Sequence, residues 1–135
     1  EIDYKLSNLN WITPEYPTNP KKEITYLNEA KKIIIKDLKP KILVTDYQFL
    51  PAIISNKKVS PNKWYDDLSV PGKDNRFFKY YKSFFLNKIK AQKIENIYIL
   101  GLEKENYIKI IFDNCLNEEK LNDVLIKLNL SKCKY

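Results

Sequence analysis

The run Lys41-Ile42-Leu43-Val44-Thr45-Asp46 (residues 41–46) decides the fold class. Pro40 stands immediately before it and ends any preceding helix, and the run itself is largely apolar and β-branched. Such a run is typical of a strand that is buried on both faces, as in a parallel sheet. A second run of this kind, residues 96–100 (NIYIL), is closed by Gly101. The two runs predict two strands of a small, mostly parallel sheet.

Helices are predicted on either side of these strands, where apolar residues recur three and four positions apart. Residues 75–91 follow Asp74, which we expect to cap that helix. Residues 23–38 present one apolar face, made of Ile24, Leu27, Ile34 and Leu38. The helix at 75–91 carries a broad aromatic stripe that we expect to lie in the core, made of Phe77, Phe78, Tyr80, Tyr81, Phe84 and Phe85.

The remaining segments are assigned by the same patterns. Residues 47–55 predict a turn and a short helix that contains Pro51, and residues 118–128 predict a further helix. Residues 103–114 fit a helix, or a strand over 107–112. The alternation of helices and strands predicts a single α/β domain with a small, mostly parallel sheet flanked by helices. We expect it to span residues 23–135, with residues 1–22 as a proline-rich connector that Trp11 and Tyr16 pack onto the body.

The net charge of +7 raises the question of an anionic partner. Of the 24 basic residues only Arg76 is an arginine, and the basic residues are spread along the chain. Nucleic-acid readers favour arginine, because its planar guanidinium bonds phosphate and guanine in pairs. We therefore expect a solvated lysine surface first, contact with an anionic membrane second, and a nucleic acid as the least favoured partner.

The chain contains no histidine and two cysteines. Without histidine, Ser-His-Asp catalysis and histidine-ligated metal sites are excluded within this chain, and we expect neither a metal nor a cofactor. Cys115 and Cys133 are either two separate core thiols or one disulfide that pins the C-terminal tail. In an oxidising compartment such a bond stabilises the fold by about 3 kcal/mol.

Asp46 is the strongest candidate for a ligand-binding residue. In open parallel sheets ligands lie beyond the carboxyl ends of the strands, and Asp46 stands at such an end. Tyr47 and Gln48 follow it and add a hydroxyl group and an amide. The alternative is that Asp46 caps the next turn or short helix.

A second candidate site lies in the long segment 56–73, which has no clear period. Loops of this length are uncommon in compact domains and are often functional. Trp64 and Tyr65 indicate an ordered loop. Asp66 and Asp67 beside them suggest a sugar or cation site, since aromatic faces stack on pyranose rings and carboxylates bond hydroxyl groups. The alternative is a pair of solvated turn residues.

Four stretches together resemble a known family: residues 11–17 (WITPEYP), 44–49 (VTDYQF), 63–65 (KWY) and 93–99 (KIENIYI). They are similar to the soluble C-terminal region that follows the membrane spans in certain bacterial polytopic glycosyltransferases. These are the dolichyl-phosphate-mannose-protein mannosyltransferase-like enzymes, which use lipid-linked sugars. The resemblance covers about two-thirds of the chain, and none of its motifs is a catalytic signature.

The resemblance implies an accessory domain on the periplasmic side of a bacterial membrane, soluble as an isolated fragment, that assists acceptor binding or positions the membrane part. The family's catalytic acid lies near the first span, so no catalytic residue is carried over. The implied partners are the membrane-embedded part of the same polypeptide, the sugar acceptor and lipid headgroups, and the implied compartment permits a Cys115–Cys133 disulfide. The absence of methionine, even at position 1, is expected of a processed chain or of a segment of a longer protein, and the resemblance implies the segment.

The alternative function is that of a free-standing α/β domain, which binds a small sugar or anionic ligand at the Asp46 strand edge with loop 56–73 as a lid. This hypothesis predicts a pocket at the strand ends and binding by the isolated domain. A basic nucleic-acid module predicts instead that the lysines cluster on one face, and an interaction module predicts an exposed apolar patch.

Overall fold

A computed structural model describes residues 18–55, 57–101 and 104–135. Most of the predicted connector, with Trp11 and Tyr16, lies outside these residues. In chain order the elements are α1 (Pro20–Lys36), β1 (Lys41–Thr45), α2 (Leu50–Ile53), α3 (Phe78–Ala91), β2 (Asn96–Leu100), α4 (Glu105–Lys109), β3 (Asn117–Lys120) and β4 (Leu125–Asn129). The described residues therefore form an α/β fold.

The four strands form one sheet in the order β1-β2-β4-β3. The β1–β2 pair is parallel, as the two apolar runs predict. The β2–β4 and β3–β4 pairs are antiparallel, so the sheet is mixed and the expectation of a mostly parallel sheet is wrong. The difference comes from the C-terminal segment, which adds two strands where a helix was predicted.

The helix predicted over 118–128 is instead a β-hairpin. Leu125 and Leu128 have helical spacing, but in β4 they lie on opposite faces of the sheet, and each is buried by a different layer. Because both faces of this strand are covered, the alternation that would reveal a strand is missing. The turn is closed by Asn122, whose side-chain oxygen accepts hydrogen bonds from the amides of Val124 (2.9 Å) and Leu125 (2.8 Å).

The sheet is buried on both faces by separate apolar layers. Ile42, Ile97 and Leu128 point into one layer, which α3 and α4 cover. Leu43 and Tyr98 point into the other layer, which α1 and α2 cover. The register explains this division, since Ile42 pairs with Ile97, and Leu43 with Tyr98. The fold thus has three layers, with helices on both sides of a central sheet.

The bounds of α1 and α3 differ from those predicted from the sequence. α1 begins at Pro20, capped by Asn19, so its first turn lies within the predicted connector. Leu38, predicted on its apolar face, follows the helix and is 95% exposed. α3 begins at Phe78, so Asp74 is not its N-cap. For the segment after β2 the sequence fits a helix or a strand over 107–112, and the structure has the helix α4.

A polar network fixes the end of α1 to the sheet. Asp37 follows α1, and its Oδ2 accepts hydrogen bonds from Asn96 Nδ2 and Tyr98 Oη, both at 2.7 Å. Its Oδ1 accepts from the Lys39 amide at 3.0 Å. Partial burial disfavours the charge of Asp37, but these hydrogen bonds outweigh it and hold the pKa of the carboxyl below its usual value. Asn129 Nδ2 donates to Asn96 Oδ1 (2.8 Å) and extends the network to β4.

The lowered pKa predicts an acid-dependent contribution to stability. The folded-state pKa of Asp37 lies below the unfolded value, so its contribution is full above about pH 4 and is lost as the pH falls through the folded-state pKa. We expect Asp37→Asn to lower the free energy of unfolding at neutral pH by about 1–2 kcal/mol, because a charged acceptor is removed.

Urea unfolding across the acid range measures this effect. The difference between wild type and Asp37→Asn should shrink as the pH falls below about 4. Asp123→Asn, at an exposed carboxylate in the hairpin turn, is the matched control and should change stability little. A difference that stays constant down to the acid limit would contradict the assigned role of Asp37.

Candidate functional site

The chain leaves β1 through a tight turn that is built from its own side chains. The Tyr47 amide donates to Thr45 Oγ1 at 3.1 Å, and the Gln48 amide donates to the Asp46 carbonyl at 2.9 Å. The side-chain amide of Gln48 donates to the Thr45 carbonyl (2.8 Å) and to the Lys63 carbonyl (3.2 Å). Gln48 therefore joins the carboxyl end of β1 to the long loop that precedes α3.

The described part of this loop, residues 57–77, is ordered by contacts with the rest of the fold. Gln92, the C-cap of α3, makes two bonds to Val59: its Oε1 accepts from the Val59 amide (2.9 Å) and its Nε2 donates to the Val59 carbonyl (2.7 Å). Tyr65 is 3% exposed, and its hydroxyl lies 2.5 Å from Ser60 Oγ. Burial raises the pKa of Tyr65 to about 12, so its phenol stays neutral at physiological pH. Tyr65 and Gln92 thus anchor the loop to the rest of the fold.

A crevice of about 350 Å³ lies between β1, the start of α2 and the loop. Its apolar lining consists of Leu43, Pro51, Val59 and Tyr65. Its polar lining consists of Thr45, Gln48, Lys58, Ser60, Asn62 and Lys63. Among the described residues that line it, two are cationic and none carries a carboxylate. The crevice is therefore suited to an anionic or polyhydroxylated ligand.

Asp46, the strongest candidate from the sequence, is engaged elsewhere. Its Oδ2 lies 2.9 Å from the ammonium of Lys104, which is also 3.4 Å from the Tyr65 carbonyl. Lys104 follows the end of β2, where Gly101 adopts φ +134°, a backbone conformation that favours glycine. The Asp46–Lys104 pair thus joins the carboxyl ends of the two parallel strands beside the crevice.

The other candidate residues are divided between the crevice and its surroundings. Trp64 is 44% exposed, with the Lys63 ammonium 5.3 Å from its ring centroid. Asp66 Oδ1 accepts from the amides of Leu68 (3.0 Å) and Ser69 (2.7 Å), and hydrogen bonding to Ser69 is the main cause of its lowered pKa.

Asp67 and Tyr47 bond to helices. Asp67 Oδ1 accepts from the Tyr107 hydroxyl (2.8 Å), which ties the loop to α4. The Tyr47 hydroxyl donates to the buried Glu23 of α1 (2.7 Å). Of the seven ligand-binding candidates, Gln48 and Tyr65 line the crevice, and Asp66 and Asp67 bond to different partners.

Sequence reasoning missed most of the polar lining. Sequence patterns give no ligand-binding role to Thr45 in the strand, or to Lys58, Ser60, Asn62 and Lys63 in the long loop. A usable indication was present in residues 58–63 (KVSPNK), where two cations and two small polar side chains lie within six positions.

The disulfide is not part of the crevice lining. It packs against the apolar layer that α3 and α4 cover. Cys115 and Cys133 are bonded, with their Cα atoms 5.0 Å apart. Both pack against the core cluster that contains Phe85 and Ile111. The bond therefore ties the C-terminal tail to the segment that follows α4.

Comparison of the chain with protein-family models, with curated proteins and with solved structures finds no match. Within residues 18–55, 57–101 and 104–135, no three cysteine or carboxylate side chains lie together as a metal site would require. In the same residues no helix is both long and apolar enough to cross a membrane.

The pairing of Gln92 with Val59 predicts that α3 holds the crevice wall in place. Gln92→Ala removes both hydrogen bonds, so we expect the Val59 amide to exchange its hydrogen faster. The free energy of unfolding should fall by about 1–2 kcal/mol. Hydrogen exchange followed by NMR, together with urea unfolding, measures both quantities.

Gln92→Glu is the matched control, because its carboxylate still accepts from the Val59 amide but no longer donates. Its exchange rate at Val59 should lie between those of wild type and Gln92→Ala. Unchanged exchange at Val59 in Gln92→Ala would refute the anchoring role.

Proposed function

We propose that this domain binds a small anionic ligand of the sugar-phosphate type in the crevice at the carboxyl end of β1. The observation that carries the proposal is the composition of the crevice wall. Two lysines stand among four neutral hydrogen-bonding side chains, Thr45, Gln48, Ser60 and Asn62. Lysine ammoniums favour phosphate, and amide and hydroxyl groups bond the hydroxyl groups of a sugar.

The size and position of the crevice support this class of ligand. Binding pockets for small molecules typically measure about 300–1,000 Å³, so a volume of about 350 Å³ suits a monosaccharide phosphate. Ligands of open α/β sheets lie beyond the carboxyl ends of parallel strands, where Thr45 and Gln48 stand. Val59 and Pro51, the apolar lining residues that keep exposed surface, add an apolar wall on which a sugar ring can pack. The crevice wall therefore offers positive charge for a phosphate and hydrogen-bonding groups for the hydroxyl groups of a sugar.

Titration calorimetry on the isolated chain tests the proposal with glucose 1-phosphate, inorganic phosphate and glucose. We expect glucose 1-phosphate to bind most tightly, because it uses both the charge and the hydroxyl contacts. Replacing Lys58 and Lys63 together by alanine should weaken its binding at least about tenfold, since charge-assisted hydrogen bonds are lost.

Lys132→Ala, at an exposed lysine near the C-terminus, is the control and should bind as wild type does. Thermal unfolding of each variant separates loss of binding from loss of fold. Equal affinity of wild type and the double variant, or no heat with any of the three compounds, would refute the crevice as the binding site.

A second candidate function is that of an accessory domain of a membrane glycosyltransferase, as the resemblance implies. The Cys115–Cys133 disulfide favours it, because disulfides persist in oxidising compartments such as the periplasm. In that setting the crevice would hold the acceptor or an anionic sugar near the membrane-embedded part of the same polypeptide, and transfer would occur in that part.

The accessory function predicts what precedes Glu1 in the source genome. The reading frame should continue upstream into several hydrophobic spans of about 20 residues each, with an acidic residue in the loop after the first span. Sequencing that region decides the question. A start codon directly before Glu1, or a signal peptide alone, would contradict the accessory function and leave the free-standing binding domain.

A further inference from the structure

One face of α3 carries large aromatic side chains that remain exposed to a substantial extent in the described part of the chain. Phe77, at the N-cap, is 55% exposed, and Tyr80 and Phe84 are 74% and 44% exposed. Their spacing of three and four residues places them in one row along the helix. A neighbouring face of the helix buries Phe85 and Ile89 in the core. The sequence-based expectation that the whole aromatic stripe lies in the core is therefore wrong for this row.

The segment that contains α3 is positively charged, and no acidic residue within it offsets this charge. Residues 76–93 contain no acidic side chain. Two of its cations lie over the rings of the row: the Arg76 guanidinium is 4.6 Å from the Phe77 centroid, and the Lys88 ammonium is 5.9 Å from the Phe84 centroid. The cations of the segment are Arg76, Lys79, Lys82, Lys88, Lys90 and Lys93, of which Lys82 pairs with Asp113. An anionic surface is the partner that this charge complements.

Three exposed rings beside cations suit the surface of a bilayer. Amphipathic helices at membrane surfaces present aromatic residues to the headgroup and acyl boundary, and lysines and arginines to anionic lipid. Single-stranded nucleic acid is also bound by such surfaces, since its bases stack on aromatic rings and its phosphates contact cations. The disulfide favours the bilayer, because an oxidising compartment is bounded by membrane and is not where nucleic acids are handled.

We propose that the aromatic row of α3, formed by Phe77, Tyr80 and Phe84 together with Arg76 and Lys88, docks the domain on an anionic lipid surface. The helix lies parallel to the bilayer plane, with the three rings at the headgroup level and the cations beside lipid phosphates. At 1.5 Å per residue its 14 residues extend over about 21 Å of that surface. The proposal does not depend on the crevice, since it uses none of the residues that line it.

Vesicle flotation with the purified chain tests this surface. The probes are vesicles of phosphatidylcholine alone and vesicles of phosphatidylcholine mixed with phosphatidylglycerol. We expect binding to the mixed vesicles, little binding to the neutral ones, and release at about 1 M salt, where charges are screened within about 3 Å. Replacing Arg76 and Lys88 by alanine should weaken binding by about fivefold for each charge, or about 25-fold together.

The rings are tested by replacing Phe77, Tyr80 and Phe84 together by alanine. These side chains are exposed, so the variant should fold, and circular dichroism checks this. Its binding to mixed vesicles should fall by at least about tenfold, because the apolar area of the rings is no longer buried, while Tyr80→Phe, which keeps the ring, should bind as wild type does. Lys132→Ala is the charge control and should lose less than either change on α3.

Three results would overturn the proposal. The first is equal flotation of the wild type and the triple-alanine variant. The second is tighter binding to a single-stranded oligonucleotide than to mixed vesicles, with loss of that binding in the triple variant, which would make the row a nucleic-acid surface. The third is self-association that the triple variant abolishes, which would make it a contact between two copies of the chain.

Discussion

The burial of the parallel β1–β2 pair on both faces is the constraint on which the rest of this structure depends. Ile42 pairs with Ile97 on one side of the sheet, and Leu43 pairs with Tyr98 on the other. Each fully buried apolar side chain contributes about 1.5–3 kcal/mol, but only when a layer covers it. Helices must therefore cover both faces. Because β1 lies at the edge of the described sheet, its carboxyl end is open to the loop. The crevice is what remains between that end and the loop.

The loop before α3 connects the two surfaces to which we assign functions. Gln92, at the C-terminal end of α3, bonds to both backbone groups of Val59, which lines the crevice. Gln48 and Ser60 hold other points of the same loop. If α3 rests on a bilayer as proposed, a ligand in the crevice is held by a loop that the same helix anchors. This arrangement suits a domain that presents a small anionic sugar close to a membrane.

The sequence was most informative where a pattern is local. The strand at 41–46 was predicted within one residue and the strand at 96–100 at its full length, because burial on both faces produces continuous apolar runs. The C-terminal hairpin was missed because β4 is likewise buried on both faces, so that Leu125 and Leu128 mimic a helical stripe. The aromatic stripe of α3 spans half of the helix circumference. The sequence does not indicate which of these side chains are buried against the core and which stay exposed.

The candidate site was predictable only in part, because its walls meet through contacts between distant residues. The position of the crevice at the end of β1 and the participation of Gln48 and Tyr65 follow from the strand assignment and the aromatic loop. The pairing of Asp46 with Lys104 and of Gln92 with Val59 joins residues more than thirty positions apart, and no local pattern indicates such pairs.

A crystal structure of the chain with glucose 1-phosphate tests the central claim most directly. The account predicts electron density in the crevice, with the phosphate beside Lys58 or Lys63 and the sugar hydroxyls within hydrogen-bonding distance of Gln48 and Ser60. Ligand density at another surface, with only solvent in the crevice at a saturating ligand concentration, would contradict it.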